Sequence, residues 1–328
     1  MGRGFAASVA LALGLSLAPL AAAAQPPARV PRIGILPSVQ LPAGAPLIEA
    51  FEQGLRDLGY VAGKNIALEY RWHEGKFERM PGFAAELVRL KVDAIVVGSG
   101  AAALVAKKAT ETIPIVMAVV PDPVGEGLVA SLARPGGNIT GLSFLSADLA
   151  PKQLELLKAA VPRLSRVAVI WTSGIPSHAL LLRELEVAAR ALGVKLQALE
   201  VRGLDELDSA FAAMKRERAG GLLVLVNSRW LEHGTRFHDL AARHRLPAMY
   251  AVLEHADAGG LMAYAPDVRA NWRRAATYVD KVLKGAKPAD LPVEQPMRME
   301  FVINLKTARA LGLAIPASVF ARADRVIQ

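Results

Sequence analysis

Arg32-Ile33-Gly34-Ile35-Leu36 and Val167-Ala168-Val169-Ile170-Trp171 are the two runs on which the reading of this chain turns. Each is short, apolar and of strand length, and each opens the same succession of elements. After the first run the pattern predicts a helix over 46–58, a strand over 65–70, a helix over 78–90, a strand over 94–97, a helix over 101–110 and a strand over 115–120. After the second it predicts a helix over 177–192, a strand over 195–201, a helix over 204–217, a strand over 222–226, a helix over 230–243 and a strand over 248–253. The punctuation repeats too: Leu58-Gly59 and Leu192-Gly193 end the first helix of each set, and Ile113-Pro114 and Leu246-Pro247 precede its fourth strand. Alternating strands and helices build a parallel sheet covered on both faces. The fold class is therefore α/β, with two doubly wound parallel-sheet lobes.

Further strand-like runs over 138–144, 260–265 and 299–303, a helix over 268–283 and a helix opening at Asn304 lie outside both sets. They imply that the chain crosses between the lobes more than once, which makes a multi-strand hinge rather than a loose linker. The expected organisation is a leader over 1–24, a first lobe over 31–142, a second lobe over 143–260, and crossover strands with C-terminal helices returning between the lobes over 261–328.

The leader reads from its own pattern. Arg3 supplies a positive charge, 5–20 is almost wholly apolar, and Ala22-x-Ala24 precedes Gln25-Pro26-Pro27. That is a secretory signal peptide with its cleavage site, too short and too interrupted at Pro19 for a retained span. Composition agrees with an exported globular chain: 328 residues, 53% hydrophobic, 21% charged and no cysteine. The absence of cysteine excludes disulfide scaffolds, thiolate metal sites and thiol nucleophiles, and it fits a Gram-negative periplasm. The net charge of +9 is spread along the chain and diluted by acids, so no nucleic-acid partner is expected.

In open α/β sheets, ligands sit outside the carboxyl ends of the strands, where helix N-termini offer unpaired N–H groups. The loops there supply Ser38, Ser99, Gly100 and Asp122 in the first lobe and Thr172, Asn227, Tyr250 and Glu254 in the second. Hydroxyls, amides and a few acids suit a small polar ligand, with Ser99 and neighbouring N–H groups taking an anionic end and Asp122 or Glu254 an ammonium. Ser99 and Asp122 equally stand where an N-cap would stand. Gly98-Ser99-Gly100-Ala101-Ala102-Ala103 also matches a dinucleotide fingerprint, with Asp122 about 20 residues on. It follows the third strand of its lobe rather than the first, so an NAD-binding domain or periplasmic α/β enzyme stands as the alternative. His233, His238 and His244 are spaced by five and six and read as surface histidines, not metal ligands. With no nucleophile elbow and no paired carboxylates, neither catalysis nor a cofactor is expected.

Several blocks together resemble a known family. They are Pro31-Arg32-Ile33-Gly34-Ile35-Leu36, Phe51-x-x-Gly54-Leu55-x-x-x-Gly59-Tyr60-x-x-Gly63-x-Asn65, Glu69-Tyr70-Arg71-Trp72, Ile113-Pro114-Ile115-Val116 and Asp122-Pro123-Val124-Gly125. Arg134-Pro135-Gly136-Gly137-Asn138-Ile139-Thr140-Gly141, Leu283-Lys284-Gly285-x-Lys287-Pro288-Ala289-Asp290-Leu291-Pro292-Val293 and Asn304-Leu305-Lys306-Thr307-Ala308-x-x-Leu311-Gly312 continue the series. In this order they resemble the substrate-binding family of ABC transporters of the tryptophan-binding TrpX type. The resemblance implies a type I periplasmic-binding-protein fold, an amino acid or similar organic anion as ligand, hinge closure, and delivery to an inner-membrane permease by what is expected to be a monomer. Where that family carries a Thr-Asp-Asn-like run in the second lobe, this chain has Val226-Asn227-Ser228-Arg229, of which Asn227 matches.

Overall fold

The computed structural model describes residues 29–37, 41, 44–74, 76–144, 149–173, 175–225, 234–295 and 299–328. Ser38, Asn227, His233 and the leader over 1–24 lie outside the described residues.

The first lobe is built from β1 (Arg32–Leu36), α1 (Ala45–Asp57), β2 (Ala67–Tyr70), α2 (Met80–Arg89), β3 (Ala94–Val97), α3 (Gly100–Ala109), β4 (Ile115–Val120) and β5 (Ile139–Ser143). Its five strands lie in the order β2-β1-β3-β4-β5, all parallel, with Ile33 beside Leu68 on one flank and Ala94 on the other. The inner strands are buried because helices cover both faces: β3 and β4 read as continuous Ala, Ile, Val and Met runs rather than alternating ones.

The second lobe follows with α4 (Leu149–Ala160), β6 (Arg166–Trp171), α5 (Pro176–Ala191), β7 (Lys195–Glu200), α6 (Leu207–Arg216), β8 (Gly221–Val224), α7 (Gly234–Arg243), β9 (Ala248–Tyr250), α8 (Leu253–Asp257) and β10 (Met262–Pro266). After α9 (Val268–Leu283) come β11 (Met299–Asn304), α10 (Leu305–Ala310), α11 (Ala317–Phe320) and β12 (Arg325–Ile327). The seven-stranded sheet runs β12-β11-β10-β9-β8-β6-β7, so β7-β6-β8-β9-β10 repeats the order of the first sheet. β10 and β11 pair antiparallel, the exception to an otherwise parallel arrangement.

One expected element changes in kind, and one expectation about the histidines is corrected. The strand expected over 248–253 stops at Tyr250, and α8 begins three residues later at Leu253. The apolar run through Val252 is buried on the core side of a short helix, where burial alone does not distinguish helix from strand. The histidines expected on the surface include His238, which is buried at 8% exposure on the core side of α7.

α9 belongs to the first lobe. Its apolar residues recur at helical spacing, Val268, Trp272, Ala275, Ala276 and Val279, and all are buried against α1 and the β3–β5 face. Trp272 meets Phe51 of α1 edge-on with ring centroids 6.2 Å apart, and burial of such a ring stabilises by about 1.5–3 kcal/mol. Gly54 allows the helices to approach, since a β-carbon there would overlap the Arg273 carbonyl oxygen. Tyr60 donates to Asp280 Oδ1 at 3.0 Å, and Arg273 pairs with Asp57 at 2.6 Å.

The chain passes from first lobe to second between Phe144 and Leu149, returns between Pro266 and Val268, and crosses again between Glu294 and Met299. The outgoing and final crossings are tied to one another. Ser143 N–H donates to Glu294 C=O at 2.8 Å and Glu294 N–H to Gly141 C=O at 2.9 Å. Only Asp267 separates β10 from α9, so the carboxyl end of the second sheet stands directly beside the first lobe.

Candidate functional site

The strand orders place a switch point in each sheet, between β1 and β3 in the first and between β6 and β8 in the second. Crevices open at such points because the connections leave in opposite directions. On the first-lobe side, β3 runs into Gly98 and Ser99, and Ser99 caps α3 through its Oγ, which accepts from Ala102 N–H at 3.2 Å. The cap is what a serine in extended conformation before a helix provides. Asp122, after β4, is also engaged: its Oδ1 accepts from Gly125 N–H at 2.8 Å and its carbonyl from Glu126 N–H at 2.8 Å.

That turn delivers Glu126, which the sequence pattern did not single out. Its carboxyl lies against Gly100, the first residue of α3, so closely that a β-carbon on Gly100 would overlap it. Burial pushes the Glu126 carboxyl up to about 7; the Asp122 charge adds to the rise, and an N–H from the Asp122 backbone opposes it. A carboxyl therefore already sits at the helix N-terminus. The dinucleotide fingerprint at Gly98-Ser99-Gly100 places its pyrophosphate at that end of the helix, where Glu126 would repel it.

On the second-lobe side, Thr172 follows β6. Its hydroxyl donates to Val201 C=O at 2.8 Å and its N–H to His178 Nδ1 at 2.9 Å, so the residue is built into the scaffold between β6, β7 and α5. Tyr250 ends β9 with 1% exposure, its ring stacked on His255 at 4.9 Å and met edge-on by His238 at 5.1 Å. Its hydroxyl has no hydrogen-bond partner among the described residues, and burial raises its pKa. His238 Nε2 and His255 Nδ1 are 3.2 Å apart. Desolvation lowers both, His255 to about 3, so the pair is neutral at physiological pH.

Glu254, in the first turn of α8, is half-buried, with its Oε2 unpartnered among the described residues. Burial raises its carboxyl, Asp267 and Asp257 reinforce the shift, and Arg269 opposes it. Ser99 and Asp122 on one side, and Tyr250 and Glu254 on the other, share no hydrogen bond or ion pair among the described residues. The same residues include no group of three or more metal-ligating side chains, and no helix long and apolar enough to cross a membrane.

Comparison with known proteins points one way. Residues 32–327 match the family model described as ABC transporter substrate binding protein. A tyrosine-binding protein of Clostridioides difficile (strain R20291) is 27% identical over 282 residues, 86% of this chain and 81% of that protein. Two solved structures superpose closely. A conserved domain protein from Vibrio cholerae has a TM-score of 0.85 at 28% identity, covering 91% of this chain and 100% of the other. An ABC domain from Streptococcus pneumonia in complex with L-Trp has a TM-score of 0.84 at 27% identity, covering 90% of this chain and 99% of the other.

Proposed function

This chain belongs to the ABC transporter substrate-binding protein family, and from that premise we propose that it captures an amino acid of the tyrosine or tryptophan kind between its lobes and delivers it to an inner-membrane permease. The observation that carries the reading is the pair of sheets with one strand order, joined so that the carboxyl end of β10 runs through one residue into a helix of the other lobe. Strand ends that meet in this way leave a cleft lined from both sides, and a ligand touching both sides binds the closed form better than the open one. The aromatic amino acid is supported by the C. difficile and S. pneumonia relatives, one named for tyrosine and the other holding L-Trp.

In this reading residues 1–24 are removed on export, 31–142 and 143–260 supply the lobes, and 261–328 contribute the return crossings. Ser99 and Gly100 frame the polar end of the ligand, and its ammonium lies between Asp122 and Glu126, the carboxyl that already occupies the α3 N-terminus. Ser38, Asn227, Tyr250 and Glu254 complete the cleft, with Thr172 holding the end of β6 that frames it. Glu126 is half-buried beside Gly100 and Asp122, and a cation arriving there restores its charge. Native mass spectrometry of protein purified from the periplasm tests the proposal together with N-terminal sequencing. A co-purified tyrosine or tryptophan on a chain beginning near Gln25 is the expected result. A chain that begins at Met1, or one that carries neither amino acid and takes up neither on titration, refutes it.

A further inference from the structure

The turn after β4 sets two carboxyls side by side at the carboxyl end of the first sheet. Asp122 opens it, and Glu126 folds back so that its carboxyl accepts the Asp122 N–H and rests on Gly100 at the start of α3. Neither carboxyl has an ion pair among the described residues. α3, which packs on this turn, supplies no counterion: residues 100–103 carry no charge, and Lys107 Nζ is committed to the Gly127 and Leu128 carbonyls at 2.6 and 3.4 Å. Asp122 is therefore the charge that acts on Glu126.

Two half-buried carboxyls this close, without a cation, keep both negative charges only at a cost. The pair relieves it by protonation: burial pushes Glu126 up to about 7, Asp122 adds to the rise, and the α3 N-terminus is outweighed. What the turn lacks is one positive charge with several donors. An ammonium has that form, with three N–H groups that reach both carboxyls in charge-assisted bonds.

We propose that Glu126 exchanges its proton for the ammonium of the ligand, so that capture releases a proton and the cleft discriminates against ligands without a free amino group. The inference rests on the amino-acid reading above and assigns that site its selectivity and its pH dependence. In the exchange the Glu126 O–H gives its proton to water, the electron pair stays on the carboxylate, and the ammonium donates to that carboxylate and to Asp122; no other bond forms or breaks. A ligand that favours the charged form of a group binds more weakly wherever the group must first lose its proton. With Glu126 at about 7 in the free protein and at an ordinary 4.5 or below in the complex, affinity falls about tenfold from pH 8 to pH 6, and the release is about 0.9 proton per ligand at pH 6 against about 0.1 at pH 8.

Calorimetry of the mature chain with L-tryptophan and L-tyrosine at pH 6, 7 and 8, in buffers of different ionisation enthalpy, counts the protons. Indole-3-propionate and 3-(4-hydroxyphenyl)propionate, the same molecules without the amino group, test the selectivity. The side-chain carboxyl resonance of Glu126, followed through a pH titration of the ligand-free protein, needs neither ligand nor variant. A midpoint near 7, the proton release and pH profile above, and deamino probes about tenfold weaker than their parents at pH 8 are the expected results. Glu126→Gln should bind about tenfold more weakly than wild type at pH 8, lose the proton release and flatten the profile, so that the two proteins converge toward pH 6. A free-protein midpoint at or below 5, binding without proton release, a deamino probe that matches its parent, or a folded Gln variant that keeps the profile overturns the inference and leaves the amino-acid reading standing. If neither amino acid binds at any pH, that reading falls and this inference with it.

Discussion

Replacement of Glu126 by Gln separates two forces that act on one carboxyl. The N-terminus of α3 favours a negative charge beside Gly100 by about 0.3–1 kcal/mol, up to about 2 in a partly buried geometry. Burial and the Asp122 charge oppose it and prevail, taking the group from 4.5 to about 7. That rise corresponds to roughly 3 kcal/mol between the two protonation states, which solvent access at a half-buried side chain reduces to about 1–2 kcal/mol. The sign follows from linkage. Where the folded pKa exceeds the unfolded one, the stabilising contribution is complete below pH 4.5 and is lost as pH rises through about 7. Gln cannot ionise, so Glu126→Gln should track wild type near pH 4.5 and gain about 1–2 kcal/mol on it by pH 8. Urea denaturation of both proteins across that range measures the difference. Parallel profiles, or a variant that loses ground as pH rises, would show that the helix N-terminus governs the carboxyl and would refute the reasoning.

Other expectations follow from the same geometry. Ser99→Ala should cost about 1 kcal/mol of stability as a lost cap; if the hydroxyl also meets the ligand, calorimetry should show a further loss of about 0.5–1.5 kcal/mol in binding, and Asp122→Asn a loss of about 1.5–3. Unaltered affinity in both variants would return the two residues to the scaffold. Gly54→Ala should gain helix propensity of about 0.5–1 kcal/mol yet lose more to the clash with the Arg273 carbonyl, for a net cost of about 1–2 kcal/mol read by thermal melting. His255 has its folded pKa depressed to about 3, so protonation of the unfolded chain should cost the native state roughly 1.4 kcal/mol per pH unit below 6.5; a urea midpoint that does not fall between pH 6.5 and 5 would contradict this.

Much of the architecture was legible because parallel strands buried on both faces leave continuous apolar runs. β1, β3 and β4 begin and end where the sequence pattern puts them, as does α9. α4 carries Leu149, Leu154, Leu157 and Ala160 at helical spacing, but it lies between the two repeated sets and escaped a reading organised by their repetition. β12 is three residues long and owes its strand to pairing with β11, a long-range contact that local pattern does not contain.

The site was less legible for a related reason. Strand-end loops identify Ser99 and Asp122 by type and position, but not what their polar atoms are bonded to; both already serve backbone N–H groups. Glu126 carries no signal beyond being an acid in a turn, and its importance arises only when that turn folds over Gly100. His238 looked solvated from its spacing to the other histidines, whereas its partners Tyr250 and His255 lie on later elements.

The central claim is that a ligand is held between two lobes that close upon it. Small-angle scattering of the mature protein, with and without the amino acid that calorimetry identifies as its ligand, tests this most directly. The account predicts a smaller radius of gyration at saturation, because a ligand that touches both lobes must favour the closed form. Saturable binding with an unchanged radius of gyration would contradict it.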